Sequence, residues 1–324
     1  MALRHGSKGP DVTRLQHGLE LLHLYTAGVD GDFGDKTELA VAKFQTMEHL
    51  ADDGVVGRLT AAAFDRAMQN ANHPEWCLGM PPTPASAPPA APPSPGAHTH
   101  SWARCTADKP DGYDGYTSLW LRDDIANAFD ALAAQVRAAG GVVTTSGGRR
   151  DLTATVTPGR SATSMHYTGR AFDLALSSGM QHPNQDPFVV TREPGSPRLW
   201  RVYARSSSSA VASVTVDAVV AATTAGAAGP STRLTTVPVT ARLLDFTALA
   251  SAHGFSRIPC RSKFPDHATY ESAEWWHFQY TGDLTPHVST FGDELLKVWS
   301  LADLQRDFKV WNESRDEVFG EGWN

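Results

Sequence analysis

Between Met80 and Ala97 the chain runs Met-Pro-Pro-Thr-Pro-Ala-Ser-Ala-Pro-Pro-Ala-Ala-Pro-Pro-Ser-Pro-Gly-Ala. Neither a helix nor a central strand tolerates proline at that density, because each ring locks φ and removes a backbone donor. The stretch favours extended polyproline II, a semi-rigid spacer. It therefore obliges a chain of 324 residues to fold as two bodies, each with its own core. The expected division is residues 1–75, a linker over 76–100, and a second domain over 101–324. His98 and His100, at the end of the spacer, are expected to be solvated rather than to bind anything.

Ahead of the spacer, Val12, Leu15, Leu19 and Leu22 recur at three- and four-residue steps and predict an amphipathic helix. Gly9-Pro10 is the breaker before it, and Asp11 is placed to cap it. An internal echo follows. Asp30-Gly31-Asp32-Phe33-Gly34, then Thr37, Ala40 and Phe44, is matched by Asp53-Gly54-Val55-Val56-Gly57, then Thr60, Ala63 and Phe64, 23 residues later. Each Asp-Gly makes a tight turn and a helix starts after the second glycine. Three helices joined by two similar turns are expected. These residues resemble the three-helix peptidoglycan-binding domain, whose hallmark Asp-Gly-x-Phe-Gly-x-x-Thr-x-x-Ala-Val-x-x-Phe-Gln is matched by residues 30–45. The resemblance implies that this domain binds bacterial peptidoglycan; the periodicity by itself shows a helical bundle, which a mere spacer could also be.

Beyond the spacer, Ile125, Phe129, Leu132 and Val136 share one face of a helix expected over Leu121–Ala139, ended by Gly140-Gly141. Val142 to Thr145 and Leu174 to Leu176 are expected as short buried strands, and Gln181 to Phe188 as a proline-containing loop. Trp200 to Tyr203 and Val211 to Val220 alternate as strands do, so residues 185–240 are expected to form a β-rich insertion or lengthened hairpin. Asp245 to His253 predicts a short helix, and Glu274 to Tyr280 an aromatic-rich strand. Leu301, Leu304, Phe308 and Trp311 form an apolar stripe on one terminal helix. Helices and strands mix without a βαβ rhythm, so the fold class is α+β: a small all-α three-helix N-terminal domain, the linker, and an α+β domain with an antiparallel sheet.

The chemistry concentrates in Ser164-Met165-His166-Tyr167-Thr168-Gly169-Arg170-Ala171-Phe172-Asp173. His166 and Asp173 flank a Thr-Gly turn that can fold back and bring an imidazole and a carboxylate to one point, as two ligands of a zinc-like ion. His277 can supply a third ligand, and Glu274 a carboxylate three residues before it, suited to act as a general base. Side chains at i and i+3 of a strand point to opposite faces, so Glu274 must lie in the turn before the strand that carries His277. The same parity puts His166 ahead of its strand and Asp173 within it. Singly, each residue has a plainer use: His277 as a core histidine, Asp173 as a turn cap, Arg149 as the ion-pair partner of Asp151.

Together, Ser164, His166, Gly169, Ala171 and Asp173, with Glu274, Trp276 and His277, resemble the zinc D-Ala-D-Ala metallopeptidase family. That family includes D-alanyl-D-alanine carboxypeptidases, D-Ala-D-Ala dipeptidases and the L-alanyl-D-glutamate endopeptidases of phage endolysins. The resemblance implies zinc as cofactor, held by His166, Asp173 and His277, and Glu274 as general base and then acid. It also implies that Arg149, in Ser146-Gly147-Gly148-Arg149, stabilises the oxyanion, with Arg150 its neighbour and rival. Ser164 and Trp276 are expected to contact substrate. His17, His182, His253, His267 and His287 have no matching partners and are not expected to bind metal. The 185–240 tract has no counterpart in the resemblance, which leaves open whether the bond cut is of the D,D-carboxypeptidase, endopeptidase or dipeptidase type. A catalytically dead wall-binding protein is the rival from another class, and no carboxylate pair of the glycosidase kind stands out.

A formal charge of −7 leaves no basic surplus for a nucleic-acid partner. No run approaches membrane-spanning length, and a monomer is expected. Cys77, Cys105 and Cys260 are too few and too scattered for a thiolate zinc site or a disulfide framework; one bridge such as Cys105–Cys260 has no positive support. The opening Met-Ala-Leu-Arg-His-Gly-Ser-Lys lacks an apolar core, so a protein made in the cytoplasm without a secretory signal, of the phage-endolysin type and acting on the wall after release, is expected.

Overall fold

The computed structural model describes residues 2–48, 54–79, 99–155, 161, 163–226, 229–266, 268–286, 288–309 and 311–319. The spacer from Met80 to Ala97, Asp53 of the second turn, and His98, His267 and His287 lie outside the described residues. The chain divides into two compact units. One holds residues 1–97 with 285–293 and 310–322; the other holds 98–284 and 294–309 with the last two residues.

The first unit contains the three expected helices, α1 (Pro10–Leu21), α2 (Asp35–Met47) and α3 (Arg58–Asn70). Val12, Leu15, Leu19, Phe33, Val41, Phe44, Val56 and Phe64 bury together as its core. Asp11 is not the cap. Proline is preset for the first helical position, so α1 starts at Pro10 with Gly9 as its N-cap. Asp11 lies inside the first turn, where it pairs with Arg14 and faces the positive end of the helix dipole.

The echo in sequence is an echo in hydrogen bonds. The fully buried Gln16 takes the N–H groups of Asp30 and Gly31 on its Oε1, at 3.1 and 2.8 Å, and donates from Nε2 to Asp32 O and Asp30 Oδ1. Gln45 does the same for the second turn, accepting from Gly54 N at 2.8 Å and donating to Val55 O at 2.8 Å. Thr37 and Thr60 close the two turns by donating to the carbonyls of Asp32 and Val55. One amide side chain thus satisfies the buried backbone of each Asp-Gly turn.

In the second unit, β1 (Trp102–Thr106) and β2 (Ser118–Arg122) form an antiparallel hairpin. The following helix, α4, covers Asp123–Ala138; Leu121, expected to start it, belongs to β2, and Ile125, Phe129, Leu132 and Val136 face the core. The Val142–Thr145 segment forms no strand. Its carbonyls instead take isolated donors, Asp108 N at Val143 and Tyr116 N at Thr145. The strand expected at Leu174 lies three residues earlier, as β3 (Ala171–Asp173). It ends there because Ala175 N turns to the Thr144 hydroxyl, and Leu176–Ser178 is a 3-10 turn.

The 185–240 tract is β-rich. Strands β4 (Phe188–Arg192), β5 (Trp200–Arg205), β6 (Ser213–Gly226) and β7 (Gly229–Asp245) make one antiparallel sheet in the order β4-β5-β7-β6. The β6–β7 ladder runs from Ser213 opposite Arg242 to Gly226 opposite Gly229. Pro238 is tolerated in β7 because β5 pairs only with residues 243–245, leaving no ladder partner for the missing N–H on that side.

Helix α5 (Phe246–Ala252) is capped by Asp245, whose carboxylate accepts from Ala248 N at 2.9 Å. Strands β8 (Phe255–Arg257) and β9 (His277–Tyr280) complete a three-stranded antiparallel sheet ordered β3-β9-β8. Helices α6 (Phe291–Leu296), α7 (Leu301–Asp307) and α8 (Trp311–Ser314) follow. The single terminal helix expected from Leu301 to Trp311 is interrupted: Phe308 leaves helical geometry at φ −92° and ψ 94° and buries its ring against Tyr167. Tertiary packing overrides the 3-4-3 pattern there.

Candidate metal centre

Register builds the centre. In the β3–β9 ladder Asp173 stands directly opposite His277, so both side chains leave the sheet on one face. Phe172 and Phe278, also opposite each other, leave on the other face. They stack at 5.6 Å and meet Phe129, Phe255 and Phe246 of the core. One phenylalanine on each strand therefore anchors the sheet on its apolar side and holds the neighbouring polar group on the reverse.

His166 arrives from the winding turn ahead of β3. Tyr167 N donates to Ser164 O, Gly169 N to His166 O, and Arg170 N to Met165 O, which curls residues 164–170 back upon themselves. Gly169 is at φ 70°, and a Cβ there would lie 2.6 Å from the Trp102 ring and 2.8 Å from Arg122 N. Both the turn and the close approach require glycine. As parity demands, His166 precedes its strand and Asp173 lies in it, while Glu274 sits in the turn before β9 and His277 on it.

The result is a compact triad. His166 Nε2 is 3.1 Å from Asp173 Oδ2, Asp173 Oδ1 is 2.9 Å from His277 Nδ1, and the two ring nitrogens are 3.2 Å apart. His166 and His277 are buried and Asp173 is 20% exposed. The outer nitrogens have acceptors: His166 Nδ1 meets the Gly148 carbonyl, and His277 Nε2 meets Gln279 Oε1 at 3.4 Å. A ring nitrogen that donates outward leaves its partner unprotonated inward. In the tautomers that donate outward, two imidazole lone pairs and a carboxylate converge, a set of groups that could hold a cation. Two nitrogens and one oxygen are the donor set of zinc sites that keep a fourth position open, so the residues fit zinc.

The other candidate residues fall differently. Glu274 is buried, adopts a left-handed backbone at φ 56°, accepts His277 N on its carbonyl, and pairs through Oε1 with Arg261 Nε at 2.7 Å. Arg149 forms the ion pair with Asp151, 2.8 Å, and its guanidinium stacks on Trp102 and Trp299 at 4.7 and 4.9 Å. None of these partners belongs to the triad. Arg150 stacks over Tyr167. Ser164 supports the ligand turn, its hydroxyl 3.4 Å from His166 N. Trp276 is 4% exposed and packs against Trp275 and Tyr270, which leaves it little surface to offer a substrate. His100, expected in solvent, is partly buried and pairs with Asp123 at 2.7 Å. The three cysteines are free, and burial pushes the Cys105 thiol up to about 12, so it stays protonated.

Residues that sequence reasoning passed over complete the centre. Gln279 lies two positions after His277, hence on the same face of β9, and that period-two signal could have found it. Arg261 and the Gly148 carbonyl carry no local signal. Behind the ligand turn lies a buried charge cluster. Arg122 and Arg170 both donate to Glu294 Oε2, at 2.6 and 2.8 Å, and all three are at most 4% exposed. Arg170 also joins the two strands, its Nε donating to Tyr280 O at 3.1 Å.

The family model of the peptidoglycan binding domain matches residues 8–64, and the chain carries this domain at its N-terminus. A stretch of 49 residues is 51% identical to the uncharacterized protein in the bpoA1 3′ region of Kitasatospora aureofaciens, covering 15% of this chain. The chain spans 42% of that relative's length. Among solved structures, the chain is similar to the SleB N-terminal domain at 36% identity, over 21% of this chain and 92% of that one, with a TM-score of 0.21. A second similarity is to a fused Zn-dependent amidase/peptidase/peptidoglycan-binding domain-containing protein from Clostridium acetobutylicum, at 17% identity over 78% of this chain and 87% of that one, TM-score 0.19. Among the described residues no helix is long and apolar enough to cross a membrane.

Proposed function

We propose that the chain is a zinc-dependent peptidase that binds the bacterial cell wall through its N-terminal domain and hydrolyses a stem-peptide bond of peptidoglycan. The bond is of the D,D-carboxypeptidase or L-alanyl-D-glutamate endopeptidase type. The observation that carries this reading is the convergence of His166, Asp173 and His277 with both outer ring nitrogens already satisfied. Zinc, when bound, supplies a Lewis acid that polarises the scissile carbonyl and lowers the pKa of water.

The chain's own residues do the rest. Glu274, held by the turn that leads into His277, takes the proton of the attacking water and delivers it to the leaving amine as the C–N bond breaks. The products are a carboxylate and an amine. Arg149 can assist the oxyanion only by swinging away from Asp151, and its 33% exposure allows that movement. A free D-Ala-D-Ala dipeptide is the poorer substrate reading, because a wall-binding domain gives no advantage on a soluble dipeptide.

Digestion of purified peptidoglycan, followed by mass spectrometry of the fragments, tests the proposal. Release of D-Ala, or new N-terminal D-Glu, identifies the bond. Glu274→Ala is expected to keep its zinc by metal analysis and lose about 10²–10⁴ in turnover. A fully active Glu274→Ala protein sinks the assigned base, and zinc-loaded wild type that releases no fragment from wall or muropeptides sinks the peptidase reading.

A further inference from the structure

We infer that Arg261 is a positioning residue for Glu274, and that the β-rich insertion supplies the frame that sets the pair. The inference rests on the peptidase reading above. Arg261 Nε meets Glu274 Oε1 at 2.7 Å with side chains only 20% and 8% exposed, so the contact is a shielded, charge-assisted hydrogen bond. Glu274 sits at the tip of a tight turn with a left-handed backbone that a glutamate adopts only at a cost. A long carboxylate there would sample several rotamers; a fixed partner selects one.

The two backbones are pinned at matching points. Residues Cys260 and Ala273 immediately precede Arg261 and Glu274. The buried Arg198 guanidinium donates twice to the Cys260 carbonyl, at 3.1 and 2.8 Å, and Cys260 N returns a bond to Arg198 O at 2.9 Å. Two residues on, the buried Trp200 indole donates to the Ala273 carbonyl at 2.6 Å. Arg261 N itself bonds to Ser272 O at 2.9 Å, tying its segment to the Glu274 turn. Trp200, the first residue of β5, and Arg198, two residues ahead of it, thus hold the peptide unit before each member of the pair. The insertion has a mechanical part in the site without touching the metal ligands.

The consequence is a loss of turnover rather than of binding. A base displaced by about 1 Å costs on the order of 10² in rate. Arg261→Gln is therefore expected to lower kcat about 100-fold on a soluble muropeptide, with KM within about twofold and zinc content unchanged. Arg261→Lys keeps a charged donor and is expected to recover part of that loss, and Trp200→Phe to lower kcat in the same direction.

A second readout needs no activity. In the metal-free protein, urea unfolding of Arg261→Gln, Glu274→Gln and the double variant forms a cycle. The double variant is expected to be no less stable than Arg261→Gln alone. Unchanged kcat in Arg261→Gln overturns the inference, as does a loss that tracks zinc content or KM, or no rescue by lysine. Wild type that takes up zinc but cleaves nothing removes the peptidase reading and the catalytic part of this one. The unfolding cycle then still reports the pair, and strictly additive stabilities remove that too.

Discussion

The two units bury polar groups by opposite means. In the first, Gln16 and Gln45 are neutral amides, each facing the backbone of a turn on the same small bundle. In the second, Arg122, Arg170 and Glu294 bury full charges and join segments more than a hundred residues apart in sequence. A neutral amide that satisfies a turn is a local device, and its loss exposes one or two backbone groups. A buried ion cluster is a shared device, and removing one member strands the others without compensation. Its position matters too, since Arg170 lies inside the ligand turn and clamps the β3 end to the β9 end.

The sharpest way to break this contrast is Glu294→Ala. It is expected to destabilise the second unit by about 3–5 kcal/mol in urea unfolding, because two buried guanidinium groups lose their shared acceptor. A loss below about 1 kcal/mol would mean that water replaces the carboxylate and the cluster is not a shared device. The same residue predicts a pH effect. Burial would raise the Glu294 carboxyl, yet Arg170, Arg122 and Lys297 outweigh it and lower the folded-state value. Its contribution is then fully present above the unfolded carboxylate value of about 4.3 and disappears as pH falls through the lower folded one. Acid unfolding curves of wild type and Glu294→Gln should accordingly converge as pH drops below about 4. Curves that stay parallel would separate the cluster from acid sensitivity.

Gln16→Ala comes next, expected to cost about 1–3 kcal/mol in the isolated first unit, since the Asp30 and Gly31 donors lose their acceptor. Pull-down on purified wall by the same variant checks whether the turn matters for binding as well as for folding. The smallest effect is expected at Asp11→Ala, within about 0.5 kcal/mol, because an exposed ion pair with Arg14 is worth little. A larger loss there would restore Asp11 as a true cap.

The same contrast explains what could be read from residues alone. The helices of the first unit depend on neighbours three and four residues away, and its two turns repeat one motif whose amide partner lies 9–16 residues off, so the pattern survives in one dimension. The alternation along β9 was legible for another reason: the period of two in a strand fixes which of His277, Phe278 and Gln279 share a face, whatever the rest of the domain does. Arg261 was invisible because its partnership with Glu274 depends on carbonyls held by Arg198 and Trp200, and no spacing announces that. The helix start at Pro10 and the break at Phe308 were misplaced where a proline preset and a buried ring outweighed the local pattern.

The pairing of Asp173 with His277 has one more consequence. Sliding β9 past β3 by a single residue would put Phe278 where the imidazole belongs and turn the imidazole into the apolar core. The centre is therefore a vernier on strand alignment. On the proposed metal-binding reading, only chains whose two strands have found that one alignment bring the three groups together. Zinc added during refolding is then expected to be taken up no earlier than the sheet forms, and uptake ahead of sheet formation would break the link between register and the centre.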